Sequence, residues 1–397
     1  GWRDTDFCSC AAMTSPWRID MLTVKEVSSA RDIKEFIEFP LRLYKKCPYF
    51  VPPLYSDEKK LLRSGGCSDI AKSVFYLAVE DGKTVGRIQG IIQYQYNDIH
   101  KVSQSRFTRF DTVNDKRVAD ALLSAVEKWS VAQGMTEICG PLGFNDLDRE
   151  GLLVEGFDEN STFEEQYNYE YYAHLLEGKG YTPDVDWVEY ELKMPEKRNE
   201  MLSRVAKRTM ELHKLHIADT SIPKRQYIEK YRDGFFECLD VCYRDLYGTV
   251  PISRAAQDEL VEQFMLIINK EYAVFICDEN ERVIGFGLCF PGIGDAVKKS
   301  GGRLTLGALI KILKAVKNPE VIDLGLVAIR PEYQNAGINA VILDGMLEIL
   351  EKGNVKKCET NLNLESNTAV RAQWKYFNAR QHKRRRSYKK KLEDNYA

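Results

Sequence analysis

Val327-Ala328-Ile329-Arg330-Pro331-Glu332-Tyr333-Gln334-Asn335-Ala336-Gly337-Ile338-Asn339-Ala340 is the stretch whose reading decides the fold. Apolar residues from Val321 run up to Ile329 as a strand. A turn follows. Ile338, Val341, Ile342, Met346 and Ile349 then recur at helical spacing. A helix that starts straight out of a strand and a turn leaves its first backbone N–H groups without partners. They sit at the positive end of the helix dipole, and together they favour an anion such as a phosphate. Gly337 lets the backbone come close to such a ligand, and the small residues Ala336 and Ala340 keep the mouth open. No Gly-Lys-Ser/Thr follows, so this is not a Walker loop, and it is not a G-x-G-x-x-G turn either.

Outward from this loop the same plan is met twice. After it come a strand at Lys356–Leu364, a short helix at Ser366–Phe377 and a last strand at Arg384–Leu392. In the first half, Arg106–Val113 reads as a strand, and Asn114-Asp115 caps a helix carrying Val118, Leu122, Ala125, Trp129 and Ala132. Thr136–Phe144 is the next strand, Tyr171–Leu176 a helix, and Asp186–Met194 a strand. Each half opens on a strand, helical segments and a hairpin. The hairpins turn at Asp81-Gly82 and at Asp278-Glu279-Asn280. Antiparallel strands followed by strand–helix–strand units predict an α+β (mixed α/β) fold rather than a doubly wound sheet. The boundary is placed near Pro195. Residues 1–20 read as a tail, 21–195 as the first domain and 196–397 as the second.

Composition bounds the rest. The 397 residues are enough for two domains, and 44% hydrophobic with 29% charged residues is the balance of a globular protein, which excludes a disordered chain or a fibre. A net charge of -2 argues against a nucleic-acid binder as a whole. The ten cysteines are scattered and lack zinc spacing, so no metal is expected, and a reducing cytoplasm fits them best. No apolar run is long enough to span a membrane, and no membrane partner is expected. The stripe Leu306, Leu309, Ile310, Leu313 and Val316 is expected to pack on the core or to line a tunnel.

The loop resembles the pyrophosphate-binding loop of the GNAT acyltransferases, Q/R-x-x-G-x-G/A after a strand ending in V-x-P. Gln334, Gly337 and Asn339 stand at its marked positions, with Asn339 replacing a small residue. A second element is similar to the family's N-x-x-A-x-x-x-Y-x-x-x-G helix, with Asn367 in place, Trp374 at the Tyr position and Asn378 at the Gly position. From about residue 21 the chain also resembles bacterial tandem GNAT-like proteins of poorly known function. The matching pieces include Phe39-Pro40, Val51-Pro52-Pro53-Leu54, Gly140-Pro141 and Gly151–Phe157.

The resemblance implies two tandem GNAT folds, each a mixed, mostly antiparallel sheet flanked by helices. It implies acetyl-CoA or another acyl-CoA as cosubstrate, held by Val327, Ile329, Gln334, Asn335, Ala336, Gly337, Ile338, Asn339, Ala340, Asn367 and Trp374. It also implies an amine acceptor, a small molecule or a peptide. The family's carboxylate base would stand at Gly325; Asp323, on the same strand face about 6–7 Å further along, is the substitute candidate. Tyr376 is the candidate acid in place of the missing tyrosine. The first half has Thr112-Val113-Asn114-Asp115-Lys116-Arg117 where the loop would be, without glycine and with a carboxylate at the helix mouth that repels pyrophosphate.

Two alternatives stay open: an acyl-CoA-binding scaffold without turnover, and an aminoacyl transferase of paired-GNAT type, supported by the doubled fold and the basic run 382–391. Asn145–Tyr172, with nine acids and one base, reads as a solvated connection or as a receiver for a cationic amine.

Overall fold

The structure, a computed structural model, describes residues 22–68, 70–351 and 354–392; the expected tail at 1–20 lies outside them. The first half runs β1 (Thr23–Glu26), α1 (Ala30–Leu43), α2 (Tyr55–Ser64), β2 (Ala71–Glu80), β3 (Lys83–Gln93), α3 (Tyr94–His100), β4 (Gln104–Thr112), α4 (Lys116–Ala132), β5 (Glu137–Gly140), β6 (Leu152–Glu155), α5 (Tyr171–Glu177) and β7 (Thr182–Lys193). The second half runs α6 (Glu200–Leu212), β8 (His216–Ile217), α7 (Lys224–Tyr243), α8 (Arg254–Phe264), β9 (Ala273–Cys277), β10 (Val283–Pro291), α9 (Gly294–Lys298), α10 (Leu306–Lys317), β11 (Val321–Ile329), α11 (Ile338–Glu351), β12 (Lys357–Thr360), β13 (Asn363–Leu364), α12 (Thr368–Arg371) and β14 (Asn378–Lys391). The repeated plan is therefore present, and the fold is mixed α+β.

The halves share one sheet, in the order β1-β2-β3-β4-β5-β14-β7-β12-β11-β10-β9-β8. Each half has handed its last strand across the seam. β14 pairs antiparallel with β5, while β7 pairs with β12. The sequence boundary near Pro195 thus separates two runs of elements but not two sheets.

Charge holds the seam. Lys383 and Arg385 of β14 each lie 2.6 Å from the Glu189 carboxylate of β7, and all three side chains are buried. Removing one partner of such a group strands a buried charge, at a cost of about 3–5 kcal/mol. Outside it, Arg384 and Arg386 bind Asp186, Lys389 binds Asp184 and Lys390 binds Glu127. Apart from Lys391, the lysines and arginines of the basic run are paired with acids of their own chain.

Alternation along the strands builds two cores in the second half. Val274, Ile276 and Ile284 face α6 and α11. Phe275, Cys277 and Phe286 face α7. Helix α10 departs from expectation. It packs through Ala308 and Ile312, and leaves Leu306, Ile310 and Leu313 at 77%, 60% and 56% exposure. Those three side chains neither join the core nor line a tunnel.

Candidate functional site

The site is made where β11 leaves its neighbour. β11 and β12 pair in parallel only from Val321–Lys357 to Leu324–Thr360. Beyond Leu324 the two strands splay, and the β11 backbone from Leu326 to Ile329 keeps its antiparallel partner β10 on one side only. The register on that side shifts at Gly325, which has no partner of its own. A Cβ at Gly325 would fall 2.6 Å from the Phe290 ring. The position where the resemblance expects a carboxylate is therefore closed to any side chain while Phe290 stays in place.

At the end of β11 the chain turns through Asn335 (φ 64°) and Gly337 (φ 85°) into α11. The left-handed backbone is easy for glycine and accessible to asparagine. A Cβ at Gly337 would meet Thr209 Oγ1 of α6 at 2.5 Å, so glycine is needed for space as well as for φ. At the head of α11 the Ala340 N–H donates to the Gly337 carbonyl at 3.0 Å, while Ile338 and Asn339, whose N–H groups precede any acceptor of their own helix, line the cavity.

A cavity of about 830 Å³ occupies the splay. Of the residues expected from sequence, Val327, Ile329, Gln334, Asn335, Gly337, Ile338, Asn339, Asn367 and Trp374 line it. Ala336 and Ala340 lie outside the lining, Ala340 buried within the core against which Ala336 packs. Asn367 caps α12 by accepting from the Val370 N–H at 3.2 Å, and the Trp374 indole donates to Asn363 Oδ1 at 3.3 Å. Those two bonds fix the far wall.

Neither expected catalytic group lines the cavity. Asp323 is buried, and burial, then Glu164 and Glu359 nearby, push its carboxyl well above the usual range. On β11 it is paired with Glu359 of β12, where the strands are still closed, and this keeps it short of the opening. Tyr376 packs against the second-half core. Trp374, two residues earlier, lines the cavity, and Tyr376 does not.

Sequence reasoning missed two features. Tyr243, at the end of α7, lines the cavity and donates from its hydroxyl to the Val327 carbonyl at 3.1 Å. Nothing in the sequence marked it, because a tyrosine in a helical pattern reads as core. The second is the acidic connection of the first half. Asp146, Asp148, Glu150, Glu164 and Glu165 all line this cavity of the second half. The composition of the segment marks it as acidic, but not where it goes. Burial raises the Asp146 carboxyl to about 6 and that of Glu164 to about 7. It pushes Glu165 to about 8, against the pull of Arg385, and Glu150 well above the usual range. Glu150 Oε2 and Glu164 Oε2 are buried without a hydrogen-bond partner among the described residues. The lining includes no lysine or arginine. The opposite wall is apolar, with Phe235, Leu260, Phe264 and Phe290.

No family model matches the sequence. Protein YghO of Escherichia coli K12 is 25% identical over 377 residues, 93% of this chain and 95% of that protein. A bacterial ceramide synthase of Caulobacter vibrioides is 23% identical over 320 residues, 79% of this chain and 82% of that one. Among solved structures, a tandem GNAT protein from the clavulanic acid biosynthesis pathway superposes with a TM-score of 0.52 at 12% identity, covering 94% of this chain and 99% of its own. A GCN5-related glucosamine N-acetyltransferase region of a fungal multi-domain β-N-acetylglucosaminidase gives 0.54 at 11% identity, over 94% of this chain and 38% of that chain. Two copies of one plan, a strand that splays beside a glycine turn, and full-length superposition on a tandem GNAT protein give one conclusion: this chain has the tandem GNAT fold.

Proposed function

We propose that the second half binds an acyl-CoA along the splayed β11 and at the Gln334–Ala340 turn, and transfers the acyl group to an amine that enters on the acidic side contributed by the first half. One observation carries this reading. A single cavity is shared by the glycine turn and by two buried, unpartnered glutamate oxygens. A buried polar atom without a partner is costly to leave so, and an ammonium group supplies both the missing hydrogen bonds and the countercharge.

The chemistry follows from the groups present. The pyrophosphate is held by backbone N–H groups at the head of α11. The unpaired N–H groups of Leu326–Ile329 polarise the thioester carbonyl. Glu164, whose carboxyl releases its own proton only at about 7, is the base: above that pH its carboxylate takes a proton from the incoming ammonium. The amine nitrogen then bonds to the carbonyl carbon, the C–S bond breaks, the thiolate takes a proton from the Tyr243 hydroxyl, and the proton that the nitrogen sheds on becoming an amide returns to the Tyr243 oxygen. The products are an amide and free CoA. Tyr243 takes the role that Trp374 cannot.

The apolar wall and the size of the cavity exceed what an acetyl group fills, which favours a longer acyl chain. Similarity to a ceramide synthase supports an amine carried on a lipid, since a ceramide is itself a fatty amide.

A second reading, acyl-CoA binding without turnover, is favoured by Gly325, by Trp374 and by Asp323 lying off the lining. Aminoacyl transfer keeps the doubled fold as support but loses the basic run, whose charges from Lys383 to Lys390 are ion-paired. Calorimetry with CoA thioesters of increasing length, followed by a thiol-release screen over amines, tests the proposal. Saturable binding with thiol release on one class of amine is expected. Binding without release on any amine favours the second reading, and no binding overturns both.

A further inference from the structure

Eleven large apolar side chains are exposed among the described residues, and four of them, Leu304, Leu306, Ile310 and Leu313, fall within ten positions of one another. Leu306, Ile310 and Leu313 are spaced by four and three, so they share one face of α10. That face is opposite the one that packs on the core through Ala308 and Ile312. The helix is therefore apolar on its solvent side as well as on the side that packs through Ile312 and Val316. Lys311, Lys314 and Lys317 are exposed beside this ridge, and none of them forms an ion pair among the described residues. The nearest acid at the end of the helix, Glu320, is already held by Lys356 at 2.6 Å.

We propose that α10 is a docking helix for an anionic lipid bilayer, lying in the plane of the interface with its leucine ridge among the acyl chains and its lysines at the headgroups. Charge complementarity selects this occupant. Three lysines outside any ion pair among the described residues, beside an apolar ridge, fit anionic headgroups above hydrocarbon, whereas a second copy of the helix would bring lysines against lysines. The chain approaches the bilayer without crossing it: no helix among the described residues is long and apolar enough to span one. The inner face of α10 continues the theme. Ile312 packs with Ile267 and Phe290, and Phe290 belongs to the apolar wall of the cavity. A docked α10 sets that wall beside the source of long-chain substrates, though docking itself stands on the helix and not on the proposed reaction.

The test is flotation of the full chain with vesicles of phosphatidylcholine, with and without phosphatidylglycerol. The native chain floats with the anionic vesicles and loses most of that binding at high salt. Replacing the three lysines (Lys311→Gln, Lys314→Gln, Lys317→Gln) weakens partitioning into anionic vesicles about a hundredfold. The ridge variant (Leu306→Ser, Ile310→Ser, Leu313→Ser) loses binding to both kinds. These side chains are exposed, so the variants keep the native thermal midpoint. A native chain that stays unbound, or variants that float like it, overturns the proposal. So does a dimer seen by sedimentation velocity that the ridge variant dissolves while the native chain ignores vesicles. Acyl-CoA calorimetry on the native chain separates the two proposals: intact binding with no flotation sinks docking alone, and flotation without acyl-CoA binding sinks the site alone.

Discussion

The two halves present the same corner, a strand running into a helix, and treat it in opposite ways. In the second half, Asn335 and Gly337 take left-handed backbone and leave the mouth of α11 open on a cavity. In the first, the corner is filled from within. Asp115 caps α4 with its own carboxylate, accepting from the Arg117 N–H at 2.8 Å. The Tyr172 hydroxyl accepts from the Thr112 N–H at 2.8 Å, and the Tyr171 hydroxyl donates to the Thr112 carbonyl at 2.7 Å. The two rings stack at 4.7 Å. One copy leaves its anion site for a ligand, while the other uses a carboxylate and two tyrosines as a permanent occupant. The plugged half still serves the open one, because its acidic connection forms part of the cavity wall.

The largest expected effect comes from making the open corner resemble the closed one. Asn339 is exposed on the first turn of α11, and Asn339→Glu puts a carboxylate at the mouth without a packing cost. Acyl-CoA affinity should fall on the order of a hundredfold with the thermal midpoint unchanged, as read by calorimetry and thermal unfolding. Gly337→Glu is a poorer probe, since φ and Thr209 both penalise it in the fold. Next, Tyr243→Phe should lower kcat about ten- to a hundredfold while acyl-CoA affinity stays within about threefold, measured by thiol release and calorimetry. An equal loss in both would assign Tyr243 to binding.

The acids of the shared wall give a pH dependence of fixed sign. Glu164 keeps its proton up to about 7 in the folded chain, whereas an unfolded glutamate releases it near about 4.3. Between those values the folded state holds the extra proton, so stability falls as pH rises through that window. Glu164→Gln should flatten this part of the slope in thermal midpoints taken from about pH 5 to about pH 8. The smallest effect belongs to the plugged corner. Asp115→Ala should cost about 1 kcal/mol of stability through the lost cap and leave acyl-CoA binding untouched. A gain of binding there would mean that the carboxylate alone had kept the first half closed.

Much of this was legible along the chain. The repeat, the hairpins, the strand Val321–Ile329 and the head of α11 all follow from local periodicity and turn chemistry. Nine of the eleven expected binding residues line one cavity because a turn and the helix beyond it are local objects. The catalytic candidates fared differently. Asp323 and Tyr376 are candidates only by their distance along the chain from family positions. Where Asp323 sits depends on where β11 and β12 part, and where Tyr376 points depends on how a short helix packs. The stripe on α10 was periodic enough to read as core, and periodicity is blind to which face meets a neighbour.

The sequence by itself determined the doubled plan and the inequality of its copies, since a glycine turn against a capping aspartate is a difference of local backbone and charge. Only the tertiary structure decided that the last strands cross the seam, that the acids of one half line the cavity of the other, and that the apolar face of α10 is turned outward. Each of these depends on pairings between segments far apart in the chain. Strand exchange leaves every local propensity unchanged, so no local pattern could have announced it.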